Sequence, residues 1–140
     1  MTYPITLRCD TNGAYLVAFP DLPWVYTFGE TKDEARAQAA DALLTAMVYL
    51  VKERLPVPAP KRRQGDDWVT LPAMVAAKVG LHNALLKAGL TRAELARRLK
   101  MHRPQVDCLF DLDHASTLGQ IDMAAGELGA RLEVAVLVAR

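Results

Sequence analysis

Alternating apolar and polar residues at the amino terminus predict a strand followed by a hairpin. Residues 3–9 place every second side chain on one face: Tyr3, Ile5, Leu7 and Cys9. Asn12-Gly13 tolerates positive φ, so a tight turn is expected before a return strand over residues 14–19. The prolines of the PDLP turn, residues 20–23, cannot donate to a sheet, and a third short strand is expected over residues 24–28.

A helical pattern follows, and a run of prolines ends it. The Thr31 side chain can accept from the amide of Glu34, and a helix is expected from Lys32 to Arg54. Its inward stripe at helical spacing is Ala35, Ala39, Ala42, Leu43, Ala46, Met47 and Leu50. Three prolines then favour an extended connector that continues as a polar, basic segment over residues 56–67. Residues 68–71 are expected to return to the sheet, which gives a β-β-β-α-β order.

The second half of the chain is predicted to be mainly helical. Pro72 can open a helix that runs to Ala88, and a further helix is expected over residues 118–128. The alternating residues 131–138 predict a terminal strand with apolar side chains on both faces. Such a strand needs a partner, which is either a second copy of the chain or another strand of the same chain.

Between those helices, two short amphipathic segments predict a helix-turn-helix. The first covers residues 93–99 and the second covers residues 104–110, with Thr91 as the expected cap before the first. The side chains expected in the core of the motif are Leu95, Ala96, Leu99, Val106 and Leu109. Lys100 stands where many such motifs have glycine, so either it adopts a left-handed backbone or the turn takes another form.

The outward side chains of this motif are the candidate DNA contacts. A helix-turn-helix places the start of its second helix in the major groove, where Arg103 can pair with guanine and Gln105 with adenine. The full candidate set is Arg92, Arg98, Lys100, His102, Arg103, Gln105, Asp107 and Cys108. The acidic residues of the second helix either accept from cytosine or lie off the DNA. The alternative for the whole motif is an ordinary helical hairpin in a bundle.

Charge supports the DNA interpretation, although the net charge is only +1. Residues 1–60 carry five basic and seven acidic side chains, whereas residues 61–140 carry twelve and nine. Five of those basic residues fall between Arg92 and Arg103, where phosphate contact requires them. Basic runs are also typical of a solvated helix face, so charge alone leaves both interpretations open.

Composition excludes several classes of protein. A hydrophobic content of 51% is that of a chain with real cores. The amino terminus has no signal-peptide pattern, and the apolar runs are too short for a membrane span. Cys9 and Cys108 form no disulfide framework or zinc motif, so a cytoplasmic location is expected.

No catalytic constellation or cofactor motif is apparent. Asp10, Asp21 and Asp41 show no spacing that would make them converge on a metal ion. No histidine has a nucleophile set beside it, and no glycine-rich phosphate loop is present. The sequence therefore predicts neither an enzyme nor a bound cofactor.

Two motifs in this order resemble one family. The PDLP turn is preceded by GAYLVAF over residues 13–19 and followed by G-x-T-x-x-E-A over residues 29–35. Together with ELARRL over residues 94–99, they make the chain similar to the HicB family of bacterial antitoxins, in its form with a carboxyl-terminal helix-turn-helix.

The resemblance implies an α+β protein of two domains. Residues 1–71 would form a partial RNase H-like β-β-β-α-β domain without nuclease activity. Residues 72–140 would form a mainly helical, Cro/repressor-like helix-turn-helix domain with a carboxyl-terminal strand. The first domain would bind and cover a small HicA-type toxin that cleaves mRNA, and the second would bind the operator of the toxin–antitoxin operon.

A two-fold symmetric dimer is expected to bind the DNA, because one motif contacts too few base pairs for strong selectivity. The candidate dimer contacts are Leu132, Val134 and Val136, and a tetramer made of two dimers is compatible with this arrangement. Two alternatives stand beside the antitoxin hypothesis: a transcription regulator whose first half senses a small molecule, and a nuclease that uses the first-domain sheet.

Overall fold

The structure of the protein is a computed structural model that describes residues 1–61 and 67–138. The chain is a mixed α+β protein, and it divides into two compact units, Met1–Ala76 and Ala77–Arg140. Its strands are β1 (Thr2–Pro4), β2 (Thr6–Cys9), β3 (Tyr15–Ala18), β4 (Tyr26–Gly29) and β5 (Trp68–Thr70). Its helices are α1 (Lys32–Lys52), α2 (Ala73–Ala88), α3 (Arg92–Leu99), α4 (Arg103–Leu109) and α5 (Leu118–Glu127).

The strands of the first unit form two small antiparallel sheets. β1 pairs with β5, and β2, β3 and β4 pair in that order. The single strand predicted for residues 3–9 is divided at Ile5, whose amide donates to the Asp67 carbonyl at 3.1 Å instead of continuing the β2 ladder. Tyr3 and Ile5 are buried, but Cys9 at the far end is exposed. Within β2, the register keeps Leu7 and Cys9 on the face that carries Val17, as predicted, although burial fades toward Cys9 at the end of the strand.

Helix α1 covers one face of these sheets and completes the core of the first unit. Thr31 caps it, since its hydroxyl accepts from the Glu34 amide at 3.0 Å. The helix packs on β4, β3 and β5, and Ala35 and Ala39, both fully buried, allow close approach. It ends two residues before the predicted Arg54, because Arg54 itself takes a positive φ of 57°.

The proline-rich connector is part of the first unit. Tyr3 donates its hydroxyl hydrogen to the Pro58 carbonyl at 2.6 Å, and the Lys61 amide donates to the Asp21 carboxylate at 3.0 Å. Val57, the residue before Pro58, is buried. Burial of the phenol and the charge of Asp21 raise the pKa of Tyr3 to about 12. The remainder of the predicted connector, residues 62–66, lies outside the described residues.

The carboxyl-terminal segment corrects one prediction. Residues 131–138 form no strand, and all but Leu132 are exposed. A strand requires a neighbouring edge for its amides and carbonyls, and the described strands all belong to the first unit. Pairing within the same chain is therefore wrong, whereas pairing with a second copy stays a prediction. None of the helices in the described ranges combines the length and the apolar composition that crossing a bilayer requires.

Candidate nucleic-acid interface

Helices α3 and α4 are joined by a tight turn whose geometry follows from local capping. The Thr91 hydroxyl accepts from the Glu94 amide at 3.1 Å, and the Glu94 carboxylate accepts from the Thr91 amide at 3.3 Å. At the other end of α3, Lys100 adopts the left-handed conformation (φ 56°, ψ 42°). Met101 donates to the Ala96 carbonyl at 3.0 Å, which is typical of a Schellman turn. Of the two forms expected for this turn, the lysine adopts the left-handed one.

The predicted inward side chains of the motif lie where α3, α4 and α5 meet. Leu95, Ala96, Val106 and Leu109 are buried, and Leu99 is half-buried. Helix α3 packs against both α4 and α5. Packing of α3 against α4 and α5 therefore buries these side chains, and the contact between α3 and α4 fixes α4 relative to α3.

The first turn of α4 exposes the residues expected to read bases. His102 precedes the helix, Arg103 begins it, and both are exposed together with Gln105. The Gln105 carbonyl oxygen accepts from the His102 amide at 3.0 Å. This bond caps the helix and holds the Gln105 side chain in place, while its amide hydrogens have no partner among the described residues. Arg98 and Lys100, in and just after α3, are exposed as well.

An Arg–Asp–Arg cluster joins the start of α3 to the start of α4. The Asp107 carboxylate accepts from the Arg92 guanidinium at 3.2 Å and from Arg103 Nε at 3.1 Å. Arg92 also lies 4.8 Å from the centre of the Phe110 ring, and its side chain is only 18% exposed. Arg92 is therefore held mainly by the protein, while Arg103, with 44% of its side chain exposed, remains accessible.

The cluster also sets the charge state of its carboxylate. Burial by itself raises the pKa of Asp107, but the hydrogen bonds and positive charges of Arg103 and Arg92 outweigh it, so the pKa is lowered. Asp107 stays ionised and neutralises part of the basic surface. Its neighbour Cys108 is half-buried. The sequence left two roles open for Asp107, a cytosine contact or a position off the DNA, and in the structure its carboxylate is engaged by Arg92 and Arg103.

A buried lysine, absent from the predicted site residues, holds the far end of α4. Lys78 of α2 is fully buried, and its ammonium group donates to the carbonyls of Cys108, Asp111 and His114 at 2.9, 2.7 and 2.6 Å. Three acceptors match the three donors of an ammonium group. Burial lowers the pKa of Lys78, against the opposing influences of Asp111 and Cys108. In the sequence, the helical spacing of Lys78 with Val75, Val79 and His82 was the pattern that could have placed this lysine on the inner face of α2.

No metal centre accompanies these residues. Within residues 1–61 and 67–138, no group of three or more histidine, cysteine, aspartate or glutamate side chains is placed to hold a metal ion. The exposed start of α4 offers hydrogen-bond donors and positive charge through Arg103 and Gln105. Such a surface suits phosphates and base edges.

Comparison with known proteins assigns this chain to the class of bacterial antitoxins. A family model described as the HicB-like antitoxin of a bacterial toxin–antitoxin system matches residues 2–80. The chain belongs to this HicB-like family.

Curated relatives extend the match over nearly the whole chain. Antitoxin HicB of Escherichia coli is 39% identical over 139 residues, covering 98% of this chain and 100% of the relative. Antitoxin HicB 1 of Photorhabdus laumondii is 38% identical over 138 residues, covering 97% and 87%. Antitoxin HicB of Pseudomonas fluorescens is 39% identical over 129 residues, covering 91% and 88%. These relatives are named as antitoxins and not as enzymes.

Proposed function

We propose that this protein neutralises a HicA-type, mRNA-cleaving toxin with its first unit and represses the toxin–antitoxin operon with its second. The observation that carries the proposal is the match to antitoxins over 98% of the chain, which includes both units. The family model itself covers residues 2–80 and therefore falls mainly on the first unit. That unit is the one we assign to the toxin, as a partial RNase H-like domain. We also propose a cytoplasmic location, because the mRNA-cleaving toxin and the operator DNA would both be met there.

The second unit supplies the proposed operator contact, as a Cro/repressor-like helix-turn-helix. Support comes from the small core of α3, α4 and α5, from the capped turn at Lys100, and from the exposed basic side chains around the start of α4. We assign base reading to Arg103 and Gln105, and phosphate contact to Arg98 and Lys100. His102 lies beside them at the start of α4, whereas Arg92 and Asp107 act mainly by orienting Arg103.

The toxin half of the proposal is tested with the protein encoded beside the gene for this chain. Expression of that protein alone is expected to arrest growth and to lower mRNA levels. Co-expression with this chain is expected to restore growth, and the two proteins should co-purify. Growth arrest that persists at equal expression of both proteins, together with no co-purification, would contradict the proposed function.

Arg103→Ala is expected to weaken binding to the operator selectively. Loss of a bidentate arginine–guanine contact costs about 1–3 kcal/mol, which is roughly a 5- to 150-fold loss of affinity. Arg98→Ala, as the matched control, should weaken binding to operator and random DNA alike and reduce the slope of log affinity against log salt by about 1. Titrations of both DNAs at several salt concentrations measure this. Equal loss on both DNAs for Arg103→Ala would count against base reading.

Removal of residues 130–140 is expected to give a monomer that loses operator binding. The segment exposes Val134 and Val136, which are 64% and 90% accessible, and we propose that these and Leu132 pair with a symmetry mate in a dimer or in each dimer of a tetramer. Sedimentation of the truncated and full chains measures the change. Toxin binding by the first unit should be retained, which controls for folding. A truncated protein that remains dimeric rules this interface out.

A further inference from the structure

The three-stranded sheet of the first unit has a second face that α1 does not cover. Strand alternation and the observed register place six side chains on this face, which we call the outer sheet face. Arg8, Leu16 and Phe28 lie in one row across the strands, and Thr6, Ala18 and Tyr26 lie in the next. All six are exposed, whereas Val17 on the opposite face is buried.

The outer sheet face is apolar where an antiparallel sheet usually turns polar residues to water. Tyr26 is 78% exposed, Phe28 is 62% exposed, and Leu16 lies beside Phe28 in the register with 44% exposed. Grouped exposed apolar side chains mark interaction sites. Tyrosine, phenylalanine and arginine are also the side chains enriched at the centres of protein interfaces. Such a composition indicates a contact with another macromolecule.

Charge on the outer sheet face decides between the candidate occupants. Arg8 is the one charged side chain among the six, and it makes no ion pair with the described residues. A second copy stacked on the same face would bring arginines into the interface without any carboxylate to pair them, which is costly. Single-stranded RNA could stack on the aromatic rings, but one arginine in a half of the chain with five basic and seven acidic residues is poor support for a polyanion.

We propose that the outer sheet face is the docking surface for the protein toxin, with Tyr26 and Phe28 as the apolar anchors and Arg8 paired with a toxin carboxylate. The inference rests on the proposed function, in that an antitoxin unit has a protein toxin as its partner. It adds where on the unit the toxin binds and what chemistry the toxin presents there: an apolar patch with an acidic side chain at its edge.

The test is the affinity of full-length variants for the purified toxin, measured by calorimetry. Tyr26→Ala and Phe28→Ala are each expected to lower affinity about 10- to 100-fold, as for anchor residues at the centre of an interface. Arg8→Glu is a second variant that changes charge without removing an aromatic ring, and a loss of at least about tenfold is expected because it places like charges together. Tyr49→Ala is the matched control, because it removes a half-exposed aromatic ring from α1.

The outcomes separate this inference from the proposed function. If the unaltered chain does not bind the toxin, the proposed function fails and the docking surface fails with it. If the unaltered chain binds and the three variants bind equally well, only the docking surface is wrong. Variants that lose self-association in sedimentation but keep toxin affinity would assign the face to a second copy. Variants that lose binding to a labelled oligouridine but keep toxin affinity would assign it to RNA. Both results overturn the proposal.

Discussion

Lys78→Met is expected to lower the free energy of unfolding of the full chain by about 2–4 kcal/mol, because buried carbonyls that lose their donor cost about 1–3 kcal/mol each and do not add fully. The methionine fills a similar volume but donates no hydrogen bond. Cys108 lies in the last turn of α4, and Asp111 and His114 follow it. The loss therefore falls on the end of the proposed recognition helix, and operator affinity should fall with stability. Denaturant titration of the purified protein measures the change.

The control for Lys78→Met is Lys87→Met on the same helix. Lys87 lies in the last turn of α2 and is exposed, so its replacement should change stability by less than about 0.5 kcal/mol. The comparison separates the loss of a lysine charge from the loss of the three carbonyl contacts. Equal stability of the two variants would show that Lys78 does not hold α4.

Gly29→Ala is expected to destabilise the first unit by about 1–3 kcal/mol through overpacking. A Cβ atom at this position would lie 2.7 Å from Ala35 Cα and 2.8 Å from the Glu34 carbonyl carbon. Those neighbours are backbone atoms of the first turn of α1, so they can give way only if the helix moves off β4. Thermal and denaturant unfolding measure the loss, and toxin binding by the unit should weaken in parallel.

Gly80→Ala is the matched control for Gly29→Ala, with an expected effect of the opposite sign. A Cβ atom at Gly80 meets nothing within 4 Å in helix α2, and alanine is favoured over glycine inside a helix by up to about 1 kcal/mol. A Gly29→Ala variant as stable as the unaltered chain would mean that β4 and α1 approach less closely than the structure shows.

Several features of the site were predictable from short stretches of sequence. Thr91 and Glu94 are three residues apart, so the cap of α3 depends only on local geometry. The same holds for Thr31 at α1. The sequence showed Gly29 as part of G-x-T-x-x-E-A, but it did not show why glycine is needed at this position. That reason is the close approach of Gly29 to the backbone of Glu34 and Ala35, which depends on the angle at which α1 leaves β4.

Other features were not predictable, because they join residues far apart in the chain. The cluster at Asp107 draws on Arg92, fifteen residues away. Lys78 reaches acceptors thirty to thirty-six residues away. A sequence pattern shows that a lysine falls on an inner helix face, but only packing shows which carbonyls surround it. The register that brings Leu16 beside Phe28 likewise depends on how two strands pair.

By itself, the sequence determined most of the order of strands and helices, the caps of α1 and α3 and the family, because these depend on periodicity and on contacts within a few residues. Tertiary structure alone decided that Lys78 reaches carbonyls at the end of α4 and beyond it, that Arg92 joins Asp107, and that the sheet face with Tyr26 and Phe28 stays exposed. It also decided that residues 131–138 pair with no strand within residues 1–61 and 67–138. The physical reason is the same in each case: hydrogen bonds and burial between distant residues form only when the whole unit is packed.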